Sequence, residues 1–283
     1  MDTISIGINL EFIRHSGKTF DEALVAAKHC GYDTVEPFVF TSFRKKINTH
    51  LTIVSYREYH HLDTTEDSIE DIRAKLQKLG LKLSGFSCHS QLLSPNFAPT
   101  SLIPAIEWAN SLGAPVVNTD EGQMPEWMTP EEGLRLIEMS LRPILEACEK
   151  NEVMLGIEPH GILTTKSEYL GRILEMGDPR WLKVNFDTGN AFLAGNDPVE
   201  MLESVADRVM HIHAKDIPKE QAEAERGKVT STPMGVAVGD GVIDFEGIVK
   251  VLCQNNFAGT ISVECATEEQ AIHSLRYLRG LKL

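Results

Sequence analysis

Four apolar runs in the second half of the chain each end on a residue able to bind a cation or move a proton. Val153 to Ile157 ends on Glu158, followed by Pro159 and His160; Leu182 to Phe186 ends on Asp187; Val209 to Ile212 ends on His213; Thr260 to Val263 ends on Glu264. Residues i and i+2 of a strand share a face, so Glu158 and His160 would point the same way. Three carboxylates and one imidazole form a hard, oxygen-rich donor set, which suits Mn²⁺, Mg²⁺ or Co²⁺ better than a thiolate zinc site would, and leaves Zn²⁺ open. Without a cation, three carboxylates at one point would repel and raise one another's pKa. A lone acidic residue at a strand end is ordinarily a solvated loop residue; four in succession point to one shared divalent-metal site.

The runs are strand-like and alternate with helical patterns along the chain. Strands are expected at 4–10, 33–38, 81–87, 114–118, 153–158, 182–187, 208–213 and 260–264. Helices are expected at 20–31, 65–80, 99–113, 129–151, 166–176, 198–206, 245–256 and 267–280. Apolar spacing at Ile69, Ile72, Leu76 and Leu79 before Gly80, and the start Thr129-Pro130-Glu131-Glu132, are the clearest helix signals. Strict alternation implies a parallel sheet with helical crossovers, and eight repeats favour a closed α/β (β/α)8 TIM barrel, read here as one domain over 1–283. Ligands at the carboxyl ends of the fifth to eighth strands would meet on one side of such a barrel's mouth.

Two segments interrupt the pattern. Thr41–Asp63 is irregular and holds His60-His61, of which adjacency would let at most one reach the mouth. Ile217–Val242 is long and polar, as a lid or an oligomer contact would be; Gly239-Asp240-Gly241 within it reads as a tight turn. Lys215 and Asp216 fit a solvated turn as well as a pocket.

Composition excludes several classes. With 27 Lys+Arg against 41 Asp+Glu and a net charge of −14, the chain repels phosphate backbones, so no nucleic-acid partner is expected. It has no apolar run long enough for a membrane span and no basic, apolar leader at Met1-Asp2-Thr3-Ile4. Five dispersed cysteines without a CxxC pair read as reduced thiols, and hence a cytoplasmic protein.

The stretches GIEPHG, VNFDTGN, HIHAKD and SVEC, in that order, resemble the sugar isomerase/epimerase family with the xylose-isomerase-like barrel, which includes ketose 3-epimerases and inosose isomerases and dehydratases. The resemblance implies one divalent cation on Glu158, Asp187, His213 and Glu264, with Glu158 and Glu264 also the acid/base pair. It implies an isomerase or epimerase that moves a proton beside the carbonyl of a sugar or polyol ketone through an enediolate. Asn190 stands where the ketose 3-epimerases tend to have a histidine, and only Lys219 or Arg226 offers a counterpart to their arginine after the seventh strand. His160 is not typical of those epimerases and would suit elimination, as in inosose dehydratases or relatives that deglycosylate 3-keto-glycosides; a metal-dependent lyase is thus the alternative. His160, His89, Asn190, Glu36 and His211 are the expected substrate contacts. The apurinic endonucleases of the same barrel carry more metal ligands, and the charge opposes that reading. A homo-oligomer, a partner subunit or a non-catalytic barrel stays open.

Overall fold

The computed structural model describes residues 4–42, 58–229 and 235–281. Its strands are β1 Ser5–Asn9, β2 Thr34–Glu36, β3 Val39–Phe40, β4 Leu62–Asp63, β5 Lys82–Leu83, β6 Phe86–Ser87, β7 Val116–Thr119, β8 Met154–Ile157, β9 Leu182–Asp187, β10 Val209–Lys215 and β11 Thr260–Glu264. Nine of them form one parallel sheet in the order β5-β2-β1-β11-β10-β9-β8-β7-β6, while β3 and β4 pair separately. The two edge segments, β5 and β6, are consecutive in the chain, so the sheet curls round and nearly closes. This is the expected barrel, with one difference: the third strand is broken in two.

The break has a local cause. Between β5 and β6 lie Ser84 and Gly85, and a Cβ on Gly85 would stand 2.6 Å from Cγ1 of Val116 and 3.1 Å from its carbonyl oxygen. The chain therefore passes against its neighbour's backbone where only hydrogen fits. On one side of the break Val35 pairs with Leu83; on the other Phe86 pairs with Val117, and an isolated bridge links Phe38 to Ser87.

Helices of the expected alternation cover the outside. Phe20–His29 and Pro130–Asn151 begin in capping boxes, Thr19 with Glu22 and Thr129 with Glu132, and Ile69–Leu79 ends on left-handed Gly80. Two helices were not expected: Thr188–Leu193, started by Asp187 itself as N-cap, and Lys219–Glu225 inside the long polar connection. Buried aliphatic residues from strands and helices make one continuous core. Most of the irregular segment 41–63, and residues 230–234 of the long connection, lie outside the described residues.

Gly85→Ala should shift the denaturant midpoint down by an amount worth about 1–3 kcal/mol, the usual cost of forcing atoms into a filled core. An unchanged midpoint would mean the break has another origin.

Candidate metal centre and its surroundings

Register decides which side chains meet. His213 on β10 is paired with Asp187 on β9 and Ser262 on β11, and Lys215 with Glu264. Glu158 follows β8 directly, its amide donating to the Thr119 carbonyl at 2.8 Å. Nδ1 of His213 lies 3.1 Å from Glu158 Oε2 and 3.2 Å from Glu264 Oε1. Donor atoms of Glu158, Asp187 and His213 all lie within 4.8 Å of one another. All four residues expected to bind a cation thus converge at the carboxyl ends of adjacent strands, as barrel geometry requires.

The layer beneath fixes the imidazole. Nε2 of His213 donates to Glu36, whose two oxygens each lie 3.0 Å away. Glu36 also accepts from Ser87 (2.9 Å), Asn118 (2.8 Å) and Ser262 (2.7 Å). Burial raises the Glu36 pKa, but His213 and His211 outweigh it and hold the carboxyl well below its ordinary range. Burial lowers the pKa of His213, yet Glu36, Glu264 and Glu158 raise it well above the ordinary imidazole value. For His211 burial prevails over Glu36 and brings it down to about 4.

Glu36 and His211, expected to touch substrate, lie instead below the cavity floor. Both are 0% exposed and neither lines the cavity. Their strands carry them one layer too deep.

The cavity above is lined by Asn9, Glu11, Phe38, His89, Glu158, His160, Asp187, Asn190, Lys215 and Glu264, with Arg14 and His15 at its edge. Asn190 donates to Glu158 Oε1 at 2.9 Å and accepts from Lys215 Nζ at 3.3 Å. Lys215 therefore belongs to the pocket. Asp216 does not: its buried carboxylate accepts from the amides of Ile217, Gly239, Gly241 and Ile243 and ties the long connection to the barrel.

Burial pushes the Asp187 carboxyl up to about 7; Lys215 opposes the shift, while Glu264 and Glu158 add to it. Its Oδ1 accepts from the Asn190 amide at 2.7 Å as helix N-cap, but its Oδ2 is buried without a hydrogen-bond partner. A buried carboxylate oxygen costs free energy unless it is paired. A divalent cation among Asp187, Glu158, His213 and Glu264 would pair it and neutralise the surrounding charge, so the residues present fit a metal ion.

Two further groupings flank this centre. His89, after β6, donates from Nδ1 to Asp120 Oδ2 at 2.6 Å, and His160 places Nδ1 3.8 Å from that oxygen and 3.6 Å from Glu158 Oε1. On another side His60 and His61 both bond Glu11 Oε1, at 2.8 and 2.6 Å; Glu11 lines the cavity and neither histidine does. They lie just ahead of β4, and both are buried. Glu11, Asp120 and Asn9 were not foreseen, although Asp120 and Glu11 obey the same rule of acidic residues just past a strand.

Comparison with known proteins adds relatives to this geometry. The family model described as xylose isomerase-like TIM barrel matches residues 24–281. An inosose dehydratase of Clostridium perfringens is 30% identical over 198 aligned residues, covering 60% of this chain and 64% of that protein; the match thus spans just under two thirds of the relative's length. Among solved structures, a D-tagatose 3-epimerase-like protein superposes with a TM-score of 0.76 at 18% identity, over 98% of this chain and 96% of that one. An L-ribulose 3-epimerase superposes with a TM-score of 0.74 at 16% identity, over 98% and 94%.

Two outcomes follow for the protein in solution. Mn²⁺ at a hundredfold excess over its Kd should stabilise the chelator-treated protein by about 2.7 kcal/mol. Asp187→Asn, which keeps the N-cap, should remove that gain in thermal unfolding while leaving the metal-free protein no less stable, because one buried repelling carboxylate is gone. Glu11 supplies a pH dependence. Burial raises its pKa, but His60, His61 and Arg14 prevail and hold it well below the ordinary 4.5. The folded chain therefore binds fewer protons at this site than the unfolded one, so its contribution is complete above about pH 4.5 and disappears as pH falls through the folded value. Wild type should exceed Glu11→Gln in stability at pH 7, and the gap should narrow on acidification; a constant gap would separate Glu11 from acid stability.

Proposed function

Since the chain belongs to the xylose isomerase-like TIM barrel family, we propose that it is a divalent-metal-dependent enzyme that moves a proton beside the carbonyl of a sugar-like polyol ketone, as an isomerase or epimerase does. The observation that carries this reading is the convergence of Glu158, Asp187, His213 and Glu264, together with the unpartnered Oδ2 of Asp187. Bound there, Mn²⁺ or a similar ion would polarise the substrate carbonyl and offset the charge of an enediolate.

The rest falls to the side chains. Glu158 and Glu264 each lie against His213 Nδ1 and both line the cavity, and on this reading each serves one face of a flat enediolate. One carboxylate takes the proton and the other returns it on the opposite face. Asn185 and Asn190 donate to Glu158 at 3.1 and 2.9 Å, and Asn9 donates to Glu264 at 3.4 Å, which fixes both carboxylates. Lys215, 3.8 Å from Glu264 Oε2, supplies positive charge beside the substrate oxygens. Asp187 and His213 serve as anchors.

A second reading, loss of water from the same substrate class, is favoured by His160, which shares the pocket with Glu158 and adds a third proton carrier that epimerisation does not need. The sequence relative named as an inosose dehydratase supports it as well.

The protein loaded with Mn²⁺ and incubated with keto-polyols in D2O should place deuterium on the carbon next to the carbonyl. Glu158→Gln and Glu264→Gln should each slow that exchange by roughly 100-fold or more. Undiminished exchange in both variants, or none in wild type across a broad panel, would overturn the assignment.

A further inference from the structure

Two carboxylates suffice to move a proton from one face of an enediolate to the other, yet two of the imidazoles that line the cavity, His89 and His160, also stand beside carboxylates. They are not alike. His160 faces two carboxylates at 3.6 and 3.8 Å, and its Nδ1 bonds to neither. The His89 ring is held on three sides. Its Nδ1 donates to Asp120 at 2.6 Å, the Phe38 ring stacks on it at 5.5 Å and 30°, and the His160 ring meets it edge-on at 6.2 Å and 89°.

Asp120 is itself fixed, its Oδ1 accepting from the Gly122 amide at 2.8 Å. Gly122 has φ +82, and a Cβ there would stand 2.6 Å from Cβ of Gln91, so this turn takes glycine and no larger residue. The backbone is built to aim one carboxylate at one imidazole. Because Asp120 takes the Nδ1 proton, the tautomer is set and Nε2 is turned away from Asp120; it has no hydrogen-bond partner among the described residues, and His89 lines the cavity. A carboxylate behind a histidine, with the far nitrogen on substrate, is a proton-transfer arrangement.

We propose that His89 is the catalytic acid that protonates a departing substrate hydroxyl, with Asp120 as its positioning residue, so that the site eliminates water from a polyol ketone. The assignment rests on the proton-abstraction reading above. A base at the metal centre takes the hydrogen next to the carbonyl as a proton, and the C–H electron pair becomes the new C=C bond. The C–O bond one carbon further breaks, its pair leaves with the oxygen, and that oxygen takes the Nε2 proton of the doubly protonated His89 ring and departs as water, leaving the ring neutral with its Nδ1–H on Asp120. One proton is taken and one given, so no oxidant or reductant is required. His89 and Asp120 follow β6 and β7, on the far side of Glu158 from Glu264, so acid and base reach the substrate from different walls.

The charged and titratable groups facing His89 are Asp120, Glu158, His160 and His213; burial alone lowers its pKa, and Glu158 and the Asp120 hydrogen bond bring it up to about 9. The test compares wild type, His89→Gln and Asp120→Asn, each with Mn²⁺ and a panel of keto-polyols in D2O, following deuterium uptake and water loss by NMR. Wild type should do both. In His89→Gln the ratio of water loss to exchange should fall by roughly 100-fold, and a substrate carrying fluoride in place of the departing hydroxyl should restore it. In Asp120→Asn, kcat for water loss should fall with KM little changed, and the alkaline limb of its pH profile should move to lower pH. In metal-free protein the ¹⁵N signals of His89, assigned by their loss in His89→Gln, should show a protonated Nδ1 that titrates at lower pH in Asp120→Asn. A ratio unchanged in His89→Gln, or a limb and titration unmoved in Asp120→Asn, overturns the dyad. Wild type that exchanges deuterium without losing water overturns it too, while leaving the proton-abstraction reading standing. Absence of exchange removes both.

Discussion

The hydrogen bond between Glu36 and His213 is the constraint on which the site depends. Both partners are fully buried, so a charge on either is tolerated only because the other is there. Removing one would leave the other uncompensated, at a cost of about 3–5 kcal/mol. The contact also has a direction. By taking the Nε2 proton, Glu36 leaves Nδ1 facing Glu158 and Glu264, the arrangement in which a histidine becomes a metal ligand. Its other partners, Ser87, Asn118 and Ser262, come from three further strands, so one carboxylate gathers most of the barrel's polar layer.

Above that layer the chemistry divides by strand. The segments from β8 to β11 pair in succession, with one register shift between β9 and β10 at Val209–His211, and carry Glu158, Asp187, His213 and Glu264. The loops after β6 and β7 carry the His89–Asp120 pair. Glu158 stands between the two groups, bonded to Asn185 and Asn190 and within 3.6 Å of His160. Burial raises its pKa, but His213, His89 and His160 prevail and hold it well below the ordinary carboxylate range, which keeps it ionised.

Much of this was legible in the sequence, for a physical reason. A buried parallel strand is a short apolar run, and its carboxyl end must carry any residue that faces the mouth. Glu158, Asp187, His213 and Glu264 could thus be read from where four runs stop. Depth was not legible: Glu36 and His211 have the same strand parity as pocket residues, and only the register between strands puts them a layer down. Asp120 was missed because the fourth strand was ended one residue early, at Asn118. Lys215 was ambiguous because a lysine past a strand end is ordinarily solvated; its pairing opposite Glu264 brings it inside. The helix Thr188–Leu193 gave little signal, since its amphipathic pattern is erased by burial on every side.

The interruption at Ser84-Gly85 separates the two halves of this chemistry mechanically. A sheet is stiff where its ladder is continuous and yields first where the rungs are missing. The half that carries Glu158, Asp187, His213 and Glu264 is braced by neighbours on both flanks, whereas His89 hangs from a two-residue segment beside the seam. Changes in loop length or sequence on that flank can therefore reshape the cavity wall that bears His89 without disturbing the four residues proposed to hold a cation.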